Sequence, residues 1–437
     1  MLPRMEGGTR DTVAPPAPAV PARVRRGRLE FLDALRGIAA MSVAVQHGAE
    51  LIWPSYLRWS LEVFRPGEFG VFLFFLCSGF IIPASLERHD DLRRFWVSRV
   101  FRLYPLYWAV IGAILLLHLA WNRYPVPDPL GAGGLLVNLT MVQYFTRTPL
   151  VIGASWTLAY EMCFYLGCSM LFLAGVHRRS SRIALGMVGV TLAGATLLPL
   201  LAVGGHVPTT RAIAVAGLLG AAAVAGLAWY SRDRGWPTRI ALAGLCVVTF
   251  PLVIDRPDAF WFAMLLFATM FTGTVLYRWH SDRVPGWGAF AIVALAVVAG
   301  VVGSYVNVPD TFDPELANAH HTWRPEALTY VAALVAFCGA LALRTRAFPR
   351  PLIFLGTISY SVYLVHAVVI HVVPRLDNAV LTIVMWIALV IAVSSLTYVL
   401  VEKPAQELGH RLARSIASRR SPERSRYATE LTPTSQR

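Results

Sequence analysis

Charge is what this sequence has least of. Only 15% of its 437 residues are Asp, Glu, Lys or Arg, against about 25% in soluble domains, and the mean hydropathy is +0.56. That shortage excludes an ordinary water-soluble domain. Acid is scarcer than base, 25 residues against 39. The basic excess falls in short clusters between apolar runs, and no nucleic-acid motif accompanies it, so a nucleic-acid partner is excluded. The five cysteines all lie inside apolar segments, and none stands at metal-ligand spacing from a histidine. Free buried thiols are therefore expected, without a disulfide framework or a metal site. Residues 1–30 lack the clean apolar core of a secretory signal, because Asp33 and Arg36 interrupt the run that follows Arg25 and Arg26. No internal repeat is visible.

Long apolar runs are what the chain does have. They fall near 32–52, 69–87, 103–120, 157–175, 182–203, 211–230, 238–254, 259–277, 287–306, 327–344, 353–373 and 379–401. A bilayer is crossed by about 20 apolar residues. The expected fold is all-α, a polytopic membrane helical bundle of about 10–12 transmembrane helices. Basic residues at 88–102, 178–182, 232–239, 278–283 and 344–350 sort to the side of the Arg-rich tails, while the loops at 53–68, 306–326 and 374–378 carry few. That asymmetry puts both termini in the cytoplasm. Residues 133–145 are too short to span and read as interfacial or re-entrant.

Three parts follow. Residues 1–30 form a disordered basic cytoplasmic tail, and 31–403 form the membrane domain. Residues 404–437 form a cytoplasmic amphipathic helix and a disordered tail, with Leu408, Leu412 and Ile416 at i, i+4, i+8 against His410, Arg411 and Arg414.

Within the first run, Arg36 and His47 are eleven residues apart, which leaves them about 20° apart on one helix face and about 16 Å apart along its axis. Ionisable groups inside a span usually face a cavity, so the pair reads as a functional stripe. A snorkelling Arg and a His capped near the far interface is the plainer alternative. Arg99 and Arg102 are neighbours on one helical face, and guanidinium forks suit phosphates. Plain inside-positive topology accounts for the same arginines.

Glu161 sits early in an apolar helix, where a carboxylate at the depth of His47 would hold one imidazole tautomer. Packing against an Arg or Tyr is the other reading. Ser359, Tyr363 and His366 at i, i+4, i+7 form a polar stripe, either functional or bonding between helices. The small residues between Gly70 and Phe80 point to close helix packing, with Ser78 structural. His320 and His321, near Asp310 and Asp313, lack a third ligand at metal spacing.

Asp33-Ala34-Leu35-Arg36-Gly37 followed by His47 resembles the opening signature of the acyltransferase-3 family of integral membrane acyltransferases. Three further stretches resemble its motifs in the same order. They are Arg99-x-x-Arg102 with Tyr104-Pro105, Trp156 to Tyr165 around Glu161, and Leu355 to His366 with the closing Glu402-Lys403-Pro404. Ala159 and Met162 stand where the family often has polar residues.

The resemblance implies transfer of an acyl group, usually acetyl from acetyl-CoA, to a hydroxyl. The acceptor would be an envelope saccharide or glycolipid, or a secreted small molecule such as a macrolide. Arg99, Arg102 and Tyr104 would bind acyl-CoA from the cytoplasm. His47, Glu161, Arg36 and Asp33 would form the catalytic set, with Ser359, Tyr363 and His366 secondary and no metal. His47, assisted by Glu161, would act as general base on the hydroxyl or carry the acyl group itself. The expected location is the inner, cytoplasmic membrane of the cell. A transporter or flippase would line a path with the same charges, but would show repeated halves.

Overall fold

The computed structural model describes residues 29–89, 91–121, 126–127, 130–141, 143–146, 148–173, 175–201, 260–308, 311–313 and 319–415. The runs at 211–230 and 238–254, Cys246, Asp310, Ile416 and the tails 1–28 and 416–437 lie outside the described residues. Each of the other ten apolar runs is helical. The first half contains α1 (Glu30–Ile52), α2 (Pro54–Glu62), α3 (Pro66–His89), α4 (Leu92–Trp121), α5 (Gly131–Leu139), α6 (Trp156–Leu173) and α7 (Ser180–Leu201). After the break come α8 (Phe260–His280), α9 (Gly286–Asn307), α10 (Trp323–Ala342), α11 (Arg350–Thr357), α12 (Ser359–Val372) and α13 (Ala379–Thr397). Strands Thr311–Asp313 and Ala319–His321 pair antiparallel as a short ribbon before α10.

Six described helices are long and apolar enough to cross a membrane, and α11 with α12 makes a seventh if the pair is one span. The molecule is a polytopic membrane helical bundle.

Helix α1 packs against α3, α11, α12 and α13, and α3 packs in turn against α8. These crossings are close because small residues meet backbone. A Cβ at Gly356 would lie 1.8 Å from the Asp33 carbonyl oxygen, and one at Gly79 would lie 1.8 Å from that of Met270. Without a hydrophobic force between spans in lipid, such approach lets dispersion hold helices together. Thr274 Oγ1 also donates to Gly79 O across the second crossing, at 2.9 Å.

The run at 353–373 is not straight. It breaks at Ile358 with a bend of 74° between α11 and α12. The break turns α12 into the centre of the bundle, where Tyr360, Tyr363 and His366 are all buried.

The stretch around 133–145 holds only the short α5 and a 3-10 turn at Gln143–Thr146. Three of its carbonyls accept from side chains of α4. Tyr104 Oη donates to Thr140 O (3.1 Å), Tyr107 Oη to Asn138 O (2.8 Å) and Trp108 Nε1 to Leu139 O (3.0 Å). Non-helical backbone at membrane depth needs partners of this kind.

The last helix does not end at Pro404. Helix continues from Ala379 to Ser415, 37 residues, through a π-helical turn at Tyr398–Glu402 just before the proline. Gly409 rests on Phe101 of α4, Ala413 is buried, and Leu408 and Leu412 stay exposed.

Candidate functional site

Helices α1, α3, α4, α6 and α12 enclose a cavity of about 70 Å³. Its polar lining comes from Arg36, Ser78, Arg99, Arg102, Thr157, Glu161, Tyr165, Tyr360 and Tyr363. Three arginines from two helices thus share one small space. Taking a charged group out of water costs several kcal/mol unless it is paired. Among the described residues, no carboxylate lies within 4 Å of Arg36, Arg99 or Arg102.

Arg99 is 6% exposed. Its Nη2 donates to Ser85 Oγ at 3.0 Å, and its guanidinium lies 5.4 Å from the Phe95 ring centre and 5.7 Å from that of Tyr165. Such cation–π contacts contribute about 0.5–2 kcal/mol each, which is not full compensation. The Nε of Arg99 is buried without a hydrogen-bond partner among the described residues.

Glu161 Oε1 accepts from Ser78 Oγ at 2.8 Å and from Tyr165 Oη at 2.6 Å. The expected contact between Glu161 and His47 is therefore replaced. The hydrogen bonds of this carboxylate run inside the arginine cavity, and His47 bonds elsewhere. Its Nδ1 is 2.9 Å from His366 Nε2, with the rings nearly parallel at 9° and centroids 5.2 Å apart. His366 is fully buried.

The histidine pair adjoins the cavity through Tyr363, which lines it and whose ring centre is 6.0 Å from that of His366. Tyr363 Oη donates to Ala154 O at 2.7 Å, so in its 2.6 Å contact with Thr157 the threonine is the donor.

Other expected site residues stand apart. Tyr104 caps α5 rather than lining the cavity, because its hydroxyl is taken by Thr140 O. Asp33 abuts Gly356 at the α1–α11 crossing, within electrostatic range of Arg36 but outside the lining. Ser359 is buried at the start of α12, its Oγ without a partner among the described residues. His321 meets Arg65 Nη2 at 3.4 Å. Burial and the Arg65 charge lower its pKa.

Sequence reasoning missed Ser78, Thr157, Tyr165 and Tyr360 as cavity residues. Ser78 had a signal in its place beside Gly79 in an otherwise apolar run. The other three lie inside the motif stretches Trp156 to Tyr165 and Leu355 to His366, but no helical spacing singles them out.

A helical membrane bundle with an arginine-lined cavity beside a paired half-buried His47 and buried His366 defines the class. Residues 29–402 match the acyltransferase domain family, acyltransferase-3, and the chain belongs to it. An Acidianus two-tailed virus protein named as an acetyltransferase is 30% identical over 146 residues, 33% of this chain and 40% of the viral one. The acyltransferase MdmB of Streptomyces mycarofaciens is 30% identical over 148 residues, 32% of this chain and 38% of the relative. YrhL of Bacillus subtilis, named for peptidoglycan O-acetylation, is 24% identical over 407 residues, 87% of this chain and 55% of that protein. The chain thus spans about half the length, or less, of these relatives. No solved structure matches it.

Proposed function

We propose that this protein is a membrane O-acyltransferase. It moves an acyl group, acetyl first among candidates, from acyl-CoA to a hydroxyl of an envelope saccharide or glycolipid. The observation that carries this reading is the cavity in which Arg36, Arg99 and Arg102 have no carboxylate within 4 Å among the described residues, with a buried Arg99 N–H left over among them. A polyanionic donor supplies the missing charge, and guanidinium forks bind phosphate oxygens in pairs. Family membership and relatives named for acetyl transfer support the donor class. The basic tails and loops support a cytoplasmic donor side and location in the inner membrane.

Docked by its phosphates, the donor extends its thioester along α1 toward His47. His47 accepts the proton of the acceptor hydroxyl as the oxygen attacks the thioester carbonyl. The C–S bond breaks, and the leaving thiolate takes that proton, giving ester and free coenzyme A thiol. Positioned general bases contribute about 10²–10⁴-fold. Glu161 stays in the cavity, where its charge offsets part of the arginine excess.

The test is titration of purified full-length protein with acetyl-CoA, followed by thiol release in the presence of membrane glycolipids. Binding in the wild type that weakens in Arg99→Ala supports the reading. Absence of binding in the wild type would remove it.

A further inference from the structure

Two hydrogen bonds fix where the protons of the histidine pair sit. His366 Nδ1 is 3.2 Å from the carbonyl oxygen of Val362, one turn back on α12. A carbonyl cannot donate, so that nitrogen carries the proton. In a neutral ring the other nitrogen, Nε2, is then a lone pair, and it faces His47 Nδ1 at 2.9 Å. His47 Nδ1 must be the donor.

The alternative is a charged His366 donating from both nitrogens. That would put a cation in a fully buried site with no carboxylate within 4 Å among the described residues, which is costly. The remaining nitrogen of His47, Nε2, has no partner among the described residues and is not a buried orphan. The ring itself is only half-buried.

We infer that His366 is a positioning residue that holds His47 in the Nδ1–H tautomer, making His47 Nε2 the nitrogen that takes the acceptor proton. The part that a carboxylate plays in a serine-hydrolase triad is filled here by a second, neutral imidazole anchored to a backbone carbonyl. A neutral partner stabilises an imidazolium less than a carboxylate does, but it fixes direction equally well. The chain from Val362 O through His366 to His47 ends at one open lone pair. The catalytic consequence rests on the proposed acyl transfer, whereas the tautomer itself does not.

The test is nitrogen NMR of the full-length protein with isotope-labelled histidine, the His47 signals being assigned by their loss in His47→Asn. The expected spectrum shows a protonated Nδ1 and an unprotonated Nε2 at His47. In His366→Phe the ring loses its acceptor and shifts toward the commoner Nε2–H form. In His366→Gln, whose amide oxygen can accept, the Nδ1–H form is retained. A protonated Nε2 at His47 in the wild type overturns the inference without any variant. So does an unchanged tautomer in a folded His366→Phe protein.

In parallel, thiol release from acetyl-CoA should fall about 10²–10⁴-fold in kcat for His366→Phe, with KM for acetyl-CoA unchanged. It should recover in part in His366→Gln. If the tautomer result holds and the wild type releases no thiol, the donor assignment has failed and the positioning role stands.

Discussion

Arg36 of α1 and Arg102 of α4 line the same cavity within electrostatic range of each other, with no carboxylate within 4 Å of either among the described residues. Like charges held together in a low-dielectric site repel, and an anion bound between them would relieve that repulsion. Arg102→Ala should therefore leave the thermal unfolding midpoint of the ligand-free protein level or higher. Acetyl-CoA binding should weaken about 10- to 100-fold, as expected for losing one or two charge-assisted hydrogen bonds. Calorimetric titration and a melting curve on the same sample check both. A drop in ligand-free stability with unchanged binding would make Arg102 a structural residue.

His47→Ala should abolish transfer to within background while the protein still elutes as a single species. The residue is half-buried at the edge of the α1–α12 contact, so little packing is lost. Near-normal thiol release from this variant would take His47 out of the reaction.

Gly356→Ala should destabilise the membrane domain far more than a typical surface change. The new methyl group would overlap the Asp33 carbonyl at 1.8 Å, and overpacking of this kind costs about 1–3 kcal/mol or more. Gly112→Ala meets nothing within 4 Å and serves as the control. Unfolding midpoints in detergent distinguish the two, and equal midpoints would contradict the tight α1–α11 crossing.

Arg278 and Glu87 form a buried bidentate pair between α8 and α3, with Arg283 also reaching Glu87 at 2.6 Å. Removing one partner leaves an uncompensated buried charge, at a cost of about 3–5 kcal/mol. Glu87→Leu alone should be strongly destabilising. The double change Glu87→Leu with Arg278→Met should recover most of the loss, read from the same melting curves.

His321 lies outside the spans, and Arg65 Nη2 donates to its Nε2, a bond that requires the neutral ring. Burial and the Arg65 charge set its pKa below the ordinary value of about 6.5. The unfolded ribbon therefore binds the proton more readily than the folded one. The stabilisation is fully present above about pH 6.5 and is lost as pH falls through the lowered pKa. Amide exchange at 319–321 should accelerate on acidification, and His321→Asn should flatten that dependence. An equally steep profile in the variant would assign the effect to other groups.

Much of this site could be read along the chain, because helical period is local. The eleven-residue spacing of Arg36 and His47, the Arg99–Arg102 step and the stripe ending at His366 are all properties of single helices. What periodicity cannot give is which helix faces which. The partner of His47 is 319 residues away and that of Glu161 is 83 residues away. Choosing His366 over Glu161 as the neighbour of His47 required the bend at Ile358, which no glycine or proline at that position announces. The motif resemblance at Arg99-x-x-Arg102 carries the following Tyr104 into the expected acyl-CoA set. The need of α5 for capping donors claims its hydroxyl instead.

Helices α4 and α13 with its extension are longer than a bilayer requires. Thirty residues of α4 reach about 45 Å, and the 37 from Ala379 to Ser415 reach about 55 Å, against a hydrocarbon core of about 30 Å. They overshoot at the same end, joined where Gly409 meets Phe101. The overhang carries exposed Arg93, Arg411 and Arg414. These cations stand in water beyond the cavity, so they add little to how tightly a polyanion is held. With the proposed polyanionic donor, they would act on how often one arrives. Field focusing of this kind raises encounter rates by about 10–10³-fold and fades with ionic strength. Capture should therefore be fast and salt-sensitive, and residence, set by the buried arginines, much less so.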